Sequence, residues 1–190
     1  VSIYEHDKTQ GPACAIACGA GTIWRNYFMP LGQQTGQDSN QQFDALAELG
    51  KQLGNENNKL WQMTNGYALV RREGLIKISE QLRAANEKRW QSLAGFIRIG
   101  IQGNTQVTLP GCEHSVTQLY CSALPVAYSN HPVELWEDFA KLVLNAAYEA
   151  TFFCALQRQK PEQRGKLYLT LLGGGAFGNK TEWIIDAIRN

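Results

Sequence analysis

The chain of 190 residues is 44% hydrophobic and 10% aromatic, and its net charge is +1 with no run of Lys and Arg. That apolar content can bury a sizeable core, which predicts one globular domain over residues 1–190, while the lack of clustered basic charge argues against a nucleic-acid footprint. No apolar stretch reads as a bilayer span and the N-terminus carries no signal-peptide pattern, so a cytoplasmic protein is expected.

Five cysteines, Cys14, Cys18, Cys112, Cys121 and Cys154, form no CxxC pair and are odd in number. This predicts reduced, mostly buried thiols, no metal and no cofactor. Val1–Tyr4 reads as the end of a strand and Glu5–Gln10 as a polar loop. Gly11-Pro12 then opens a helix, because proline is pre-organised for the first helical position. Leu31–Asn40 is a loop. Apolar spacing at Phe43, Leu46, Leu49 and Leu53 predicts a helix over Gln41–Leu53, and Leu75, Ile78, Leu82, Ala85 and Trp90 predict a second from Leu75 to about Leu93. Between them lies a strand around Tyr67–Val70. Phe96–Ile101 and Gln106–Leu109 read as strands joined by a Gly103-Asn104 turn, and Val116–Tyr120 as another. Cys121 and Ser122 have the side chains of nucleophiles, but no histidine stands beside them in sequence to activate either. Pro132 opens the longest helix, to about Gln157, capped by Ser129 or Asn130. It is apolar nearly all round and therefore buried.

The last stretch is the most informative. Leu167–Leu172 has strand length and composition, four glycines fill six positions from Gly173 to Gly178, and Trp183, Ile184, Ala187 and Ile188 then have helical period. Asn179 and Glu182 have the spacing of a capping box. Strand, glycine loop and helix N-terminus together offer unpaired backbone N–H groups to an anion, and phosphate is the anion most often held this way. A plain turn is the competing reading. No Gly-Lys-Ser/Thr follows and the dinucleotide glycine spacing is missing, which demotes NTP hydrolysis and hydride transfer. The alternation of helices and strands predicts an α/β layered fold with a mixed or parallel central sheet. Ligands in such folds bind outside the carboxyl ends of strands, so the Gly11 and Gly173 loops are expected to form two walls of one cleft.

Three segments, Thr9–Cys18, Val116–Tyr128 and Leu171–Asn179, together resemble a bacterial and protist group related to macrodomains, and Gly-Ala-Phe-Gly at 175–178 is similar to an element of poly(ADP-ribose) glycohydrolases. The resemblance implies a three-layer α/β/α sandwich with a mixed central sheet. It implies one ligand loop at Thr9, Gln10, Gly11, Pro12 and Ala13, and a second at Gly173, Gly174, Gly175, Ala176, Phe177, Gly178 and Asn179. Such loops hold the diphosphate and distal ribose of ADP-ribose, with Phe177 against the ribose. The sequence departs from the pattern in two ways. The strands expected before Val1 and after Asn190 are missing, and so are the tandem glutamates of the glycohydrolases.

The expected function is therefore binding of ADP-ribose or a related nucleotide diphosphate, with ADP-ribosyl hydrolysis expected to be weak or absent and Asp7, in a polar loop that reads more simply as solvated, the best-placed candidate for its base. The alternative is a non-catalytic interaction or assembly module, since unpaired sheet edges invite a second chain and hence a homo-oligomer. A small-molecule hydrolase using Cys121 or Ser122 is a third reading. Neither a nucleic acid nor a membrane is expected as partner.

Overall fold

A computed structural model describes residues 18–158 and 165–190. The expectations for Asp7, for the first ligand loop at Thr9–Ala13, and for Cys14 lie outside the described residues. What is described is mixed helix and strand, and it divides into two compact bodies.

The first body contains the described part of Val1–Asp44 together with Met63–Tyr67 and Gly100–Leu119. Helix α1 (Gly19–Tyr27) ends where the Phe28 and Met29 amides both donate to the Trp24 carbonyl. Strands β1 (Pro30–Leu31) and β2 (Gln34–Thr35) pair antiparallel, Pro30 opposite Thr35. The Gln37 side-chain amide then donates to Asn26 Oδ1 at 3.0 Å and ties the hairpin to the helix. Ile23, Trp24 and Tyr27 on α1 and Phe28 just after it are 41–61% exposed.

The second body contains Ala45–Gln62, Ala68–Ile99 and Tyr120–Asn190. Helix α2 (Ala47–Leu53) is shorter than its apolar spacing predicts and stops at Gly54, whose φ of 82° is left-handed. Strands β3 (Trp61–Thr64) and β4 (Tyr67–Val70) pair across Asn65-Gly66, both at positive φ, as a tight hairpin turn of this kind requires. The tip of that hairpin, Met63–Tyr67, belongs to the first body.

The single helix expected from Leu75 to Leu93 is two, α3 (Arg72–Ala84) and α4 (Glu87–Ala94). Asn86 causes the break: its backbone is extended and its Oδ1 accepts the Arg89 amide at 2.9 Å, which caps a new helix. Strand β5 (Gly100–Gln106) contains Gly103 and Asn104 instead of turning there, with Asn104 at a φ of 54°, and pairs with β6 (Ser115–Tyr120). Phe96 and Ile97 are not in that strand. Their amides bond back to the Leu93 and Ala94 carbonyls at the end of α4.

A 3-10 turn (Val133–Trp136) leads into α5 (Glu137–Arg158), and α6 (Thr181–Arg189) follows. Helix α5 is the centre of this body. Ten of its residues are buried, from Phe139 to Cys154, with α3, α4 and α6 packed around it. Trp61 lies on Phe139, ring centroids 5.3 Å apart. Contrary to the reading from sequence, Val133–Arg158 is long and apolar enough to cross a membrane, but 56% of its apolar window is buried inside the protein. As the covered core of a helical body it is compatible with a soluble protein.

Two sequence expectations change here. All sheets among the described residues are two-stranded. Residues 167–172, expected as a buried strand, join no ladder: Leu167, Tyr168, Leu169 and Leu171 are 37–83% exposed. Strand composition expresses a preference for a pleated, half-covered surface, and it yields a strand only where a partner supplies the ladder.

Gly74, buried in α3, gives a test of the packing. A Cβ there would run into the backbone carbonyl of Leu60, which already accepts the Arg71 amide. Gly→Ala inside a helix ordinarily stabilises by about 1 kcal/mol, but forcing α3 off its neighbour costs about 1–3 kcal/mol. Gly74→Ala should therefore lower stability by about 1–2 kcal/mol in urea unfolding. A more stable variant would contradict this contact.

Candidate functional site

The glycine loop hangs from α5 through one side chain. Tyr148 Oη donates to the Thr170 carbonyl at 2.6 Å and accepts the Leu172 amide at 3.0 Å, which fixes the chain just before the loop. Burial raises the Tyr148 phenol above its ordinary pKa, against the opposing effect of the Leu172 amide and with a further push from Cys121. Burial also raises the Cys121 thiol, which the hydroxyl of Thr151 partly offsets.

The loop then closes on itself. Gly173 takes a φ of 77° and its carbonyl accepts both the backbone amide of Asn179 at 3.0 Å and its side-chain amide at 3.2 Å. Asn179 is buried, and Nδ2 also donates to the Leu124 carbonyl at 2.9 Å. With its side chain turned inward, Asn179 cannot cap α6. Lys180 is the N-cap instead, without a side-chain bond, so the expected Asn179–Glu182 capping box is not formed. Asn179 Oδ1 is buried and has no hydrogen-bond partner among the described residues.

The four glycines differ in what their hydrogen side chains permit. A Cβ on Gly173 would collide with the Ala123 methyl, and one on Gly178, at a φ of 70°, would come within 2.8 Å of the Ala127 methyl. One on Gly174 would stand 3.1 Å from Ile184 Cδ1, and one on Gly175 would meet nothing. Close packing thus accounts for three glycines and leaves Gly175 to open space. The Ala127 amide donates to the Phe177 carbonyl at 2.9 Å, and Phe177 meets Tyr128 edge-to-face at 5.5 Å. The described neighbour of the loop is therefore residues 123–128. The Gly11 wall of the expected cleft lies outside the described residues.

Free donors face outward at the other side of the loop. The Gly175 and Ala176 amides have no acceptor among the described residues, and both residues are exposed. The Thr181 and Glu182 amides in the first turn of α6 likewise have none, as expected for the start of a helix that no side chain caps. Lys180 Nζ lies 5.4 Å from the Trp183 ring and 3.7 Å from Glu134. Backbone donors, the positive end of a helix dipole and one lysine are the ingredients of an anion site. Among the described residues no group of His, Cys, Asp and Glu is arranged to hold a metal.

The nucleophile reading finds no support in the geometry. Burial holds the Cys121 proton on, Ser122 Oγ donates only to the Ala123 carbonyl at 3.1 Å, and His131 Nε2 is occupied with the Val70 carbonyl at 3.2 Å. Of the cysteines described, Cys154 is buried, whereas Cys18, Cys112 and Cys121 are half-buried, less enclosed than expected. Tyr148, Ala123, Ala127 and Tyr128 were not identified from sequence as parts of the site. The clue to Tyr148 was a phenol hydroxyl on the buried side of a largely apolar helix.

Two measurements follow from these contacts. Tyr148→Phe removes one donor and one acceptor from the loop's attachment and should cost about 1–3 kcal/mol at neutral pH. Because the folded pKa values of Cys121 and Tyr148 lie above their ordinary 9.0 and 10.0, their contribution to stability is complete below pH 9.0 and is lost as pH rises through the folded values. As pH rises above 10.0, melting temperature should accordingly fall less steeply in Tyr148→Phe than in the parent, and equal slopes would contradict the assignment. No protein-family model, curated protein or solved structure matches this chain.

Proposed function

We propose that this protein binds a nucleotide diphosphate of the ADP-ribose type, with a phosphate held by the backbone at residues 175–176 and the start of α6. The observation that carries the reading is the pair of exposed, unpaired amides at Gly175 and Ala176 beside a helix N-terminus that no side chain caps. The similarity of Gly-Ala-Phe-Gly to the glycohydrolase element supports the same ligand class. On this reading the fold is macrodomain-like, with the glycine loop as one of its ligand loops. Hydrolysis of ADP-ribosyl groups is the extension of the reading that depends on Asp7.

Gly174 and Gly175 provide the test. Gly175→Val places its side chain in open space and blocks the approach of phosphate, so it should fold normally and weaken ADP-ribose and ADP binding at least about tenfold. Gly174→Val meets Ile184 and should instead lower the melting temperature. Unchanged ADP-ribose affinity in folded Gly175→Val would refute this site.

The second reading, an assembly module, is favoured by a different observation. Leu167, Tyr168, Leu169 and Leu171 are exposed apolar residues within one five-residue stretch, and Phe153 and Leu156 on α5 are 57% and 62% exposed. Isolated apolar side chains on a surface are ordinary, but several within one short stretch of strand composition offer a template for a further strand. Sedimentation of the parent and of Tyr168→Lys/Leu171→Lys separates the two: oligomers that dissociate in the variant, with no nucleotide bound by either protein, favour assembly.

A further inference from the structure

We propose that Asn65 is a self-modification site, an asparagine that converts spontaneously to aspartate and isoaspartate at a rate set by the side chain of Gln42. Asn65-Gly66 is the one Asn-Gly pair in the 190-residue chain. Both residues are exposed, and together they form the whole link between β3 and β4, at φ of 50° and 79°. The chemistry needs these two residues and water. The Gly66 backbone nitrogen gives up its proton to solvent and attacks Asn65 Cγ. The N–Cγ bond forms, the Cγ–Nδ2 bond breaks, and Nδ2 leaves as ammonia with a proton taken from solvent. Water then opens the five-membered imide. Addition at Cγ gives aspartate, and addition at the Asn65 backbone carbonyl carbon gives isoaspartate, in which the chain runs through the former side chain. Nothing is oxidised or reduced. Glycine after the asparagine leaves the nitrogen unshielded by a Cβ, whereas Asn57, Asn58 and Asn104, also at positive φ, are followed by Asn58, Lys59 and Thr105.

The fold places a brake on that reaction. The Gly66 amide donates to Gln42 Oε1 at 3.0 Å, a bond between positions 24 apart in the chain. Attack requires the nitrogen to lose its proton, and an acceptor oxygen on the N–H stabilises the protonated form. The same bond has to break before the nitrogen can turn onto Cγ. The two products then differ in consequence. Asp-Gly suits the same turn as Asn-Gly, so aspartate leaves the hairpin intact. Isoaspartate adds a carbon to the backbone of a turn that has two residues, and so disturbs the register that places Trp61, Ala68 and Val70 in the core. Accumulated isoaspartate thereby converts the age of the molecule into loss of the hairpin.

The test incubates the full chain at mildly alkaline pH and follows each asparagine by peptide mapping and mass spectrometry, with isoaspartate read by an isoaspartyl methyltransferase. Asn65 should convert ahead of Asn58 and Asn104. Gln42→Leu keeps the bulk, removes the acceptor and should speed conversion about fivefold, the factor that one hydrogen bond of this kind supplies. Should Gln42→Leu fail to fold, Gln42→Ala also lacks the acceptor and should show the same acceleration. Asn65→Asp should melt with the parent, and the purified isoaspartyl form should melt at a lower temperature. Equal rates in the parent and the Gln42 variants, or an Asn65 no faster than Asn58 and Asn104, overturns the proposal. An isoaspartyl form that melts with the parent overturns its effect on the hairpin.

Discussion

Helix α5 is apolar on nearly every side, and the second body is built to cover it. Its polar groups have to be satisfied within that cover, because an unpaired hydroxyl in an apolar core costs about as much as a lost hydrogen bond. Thr151 bonds backward to the Ala147 carbonyl at 2.7 Å, within its own helix. Tyr148 cannot do so. Its hydroxyl reaches residues 170 and 172, and meeting that requirement fixes where the chain enters the glycine loop. The candidate site is in this sense a consequence of one polar atom in an apolar helix.

The loop then illustrates two separate uses of glycine. At 173 and 178 the backbone is left-handed and the neighbouring methyls of Ala123 and Ala127 leave no room for a side chain, so glycine there is a condition of packing. At 175 neither constraint applies. A glycine that packing does not need is the position where a side chain would only shield the backbone from an approaching molecule, and its amide is one of those left free. Of the seven-residue motif, residues 175 and 176 are the exposed stretch whose amides have no acceptor among the described residues.

Much of the second body could be read directly. The helix expected from Pro132 to Gln157 appears as a 3-10 turn and α5, and the apolar spacing at Trp183, Ile184 and Ala187 is the buried face of α6. Misreadings occur where a local polar group overrides a longer pattern. Asn86 divides a periodic stretch by capping a new helix, and Asn179 turns inward to two carbonyls when its spacing to Glu182 suggests a cap. The Asn65-Gly66 hairpin was marked by its residues and could have been found. Residues 167–172 could not, because their composition specifies what a partner strand would find but not that one is there. The pairing of Phe177 with Tyr128 joins positions 49 apart in sequence, a distance that no local pattern encodes.

The electrostatics of the loop determine what kind of recognition it can provide. Lys180 adds positive charge to the start of α6, but Glu134 lies 3.7 Å from its Nζ and Glu182 occupies the first turn. These three side chains therefore sum to a net negative charge, offset only in part by the helix dipole, and at physiological salt exposed charges are screened over about 8 Å. An anion gains little here from long-range attraction. What remains is short-range and directional: amide donors whose positions the packing of Gly173 and Gly178 has already fixed, and which need not reorganise to bind. A phosphate held as proposed would be selected by geometry, because it could come closer to the backbone than a carboxylate or a free counter-ion of equal charge. Affinity beyond that would have to come from contacts made by the rest of the ligand.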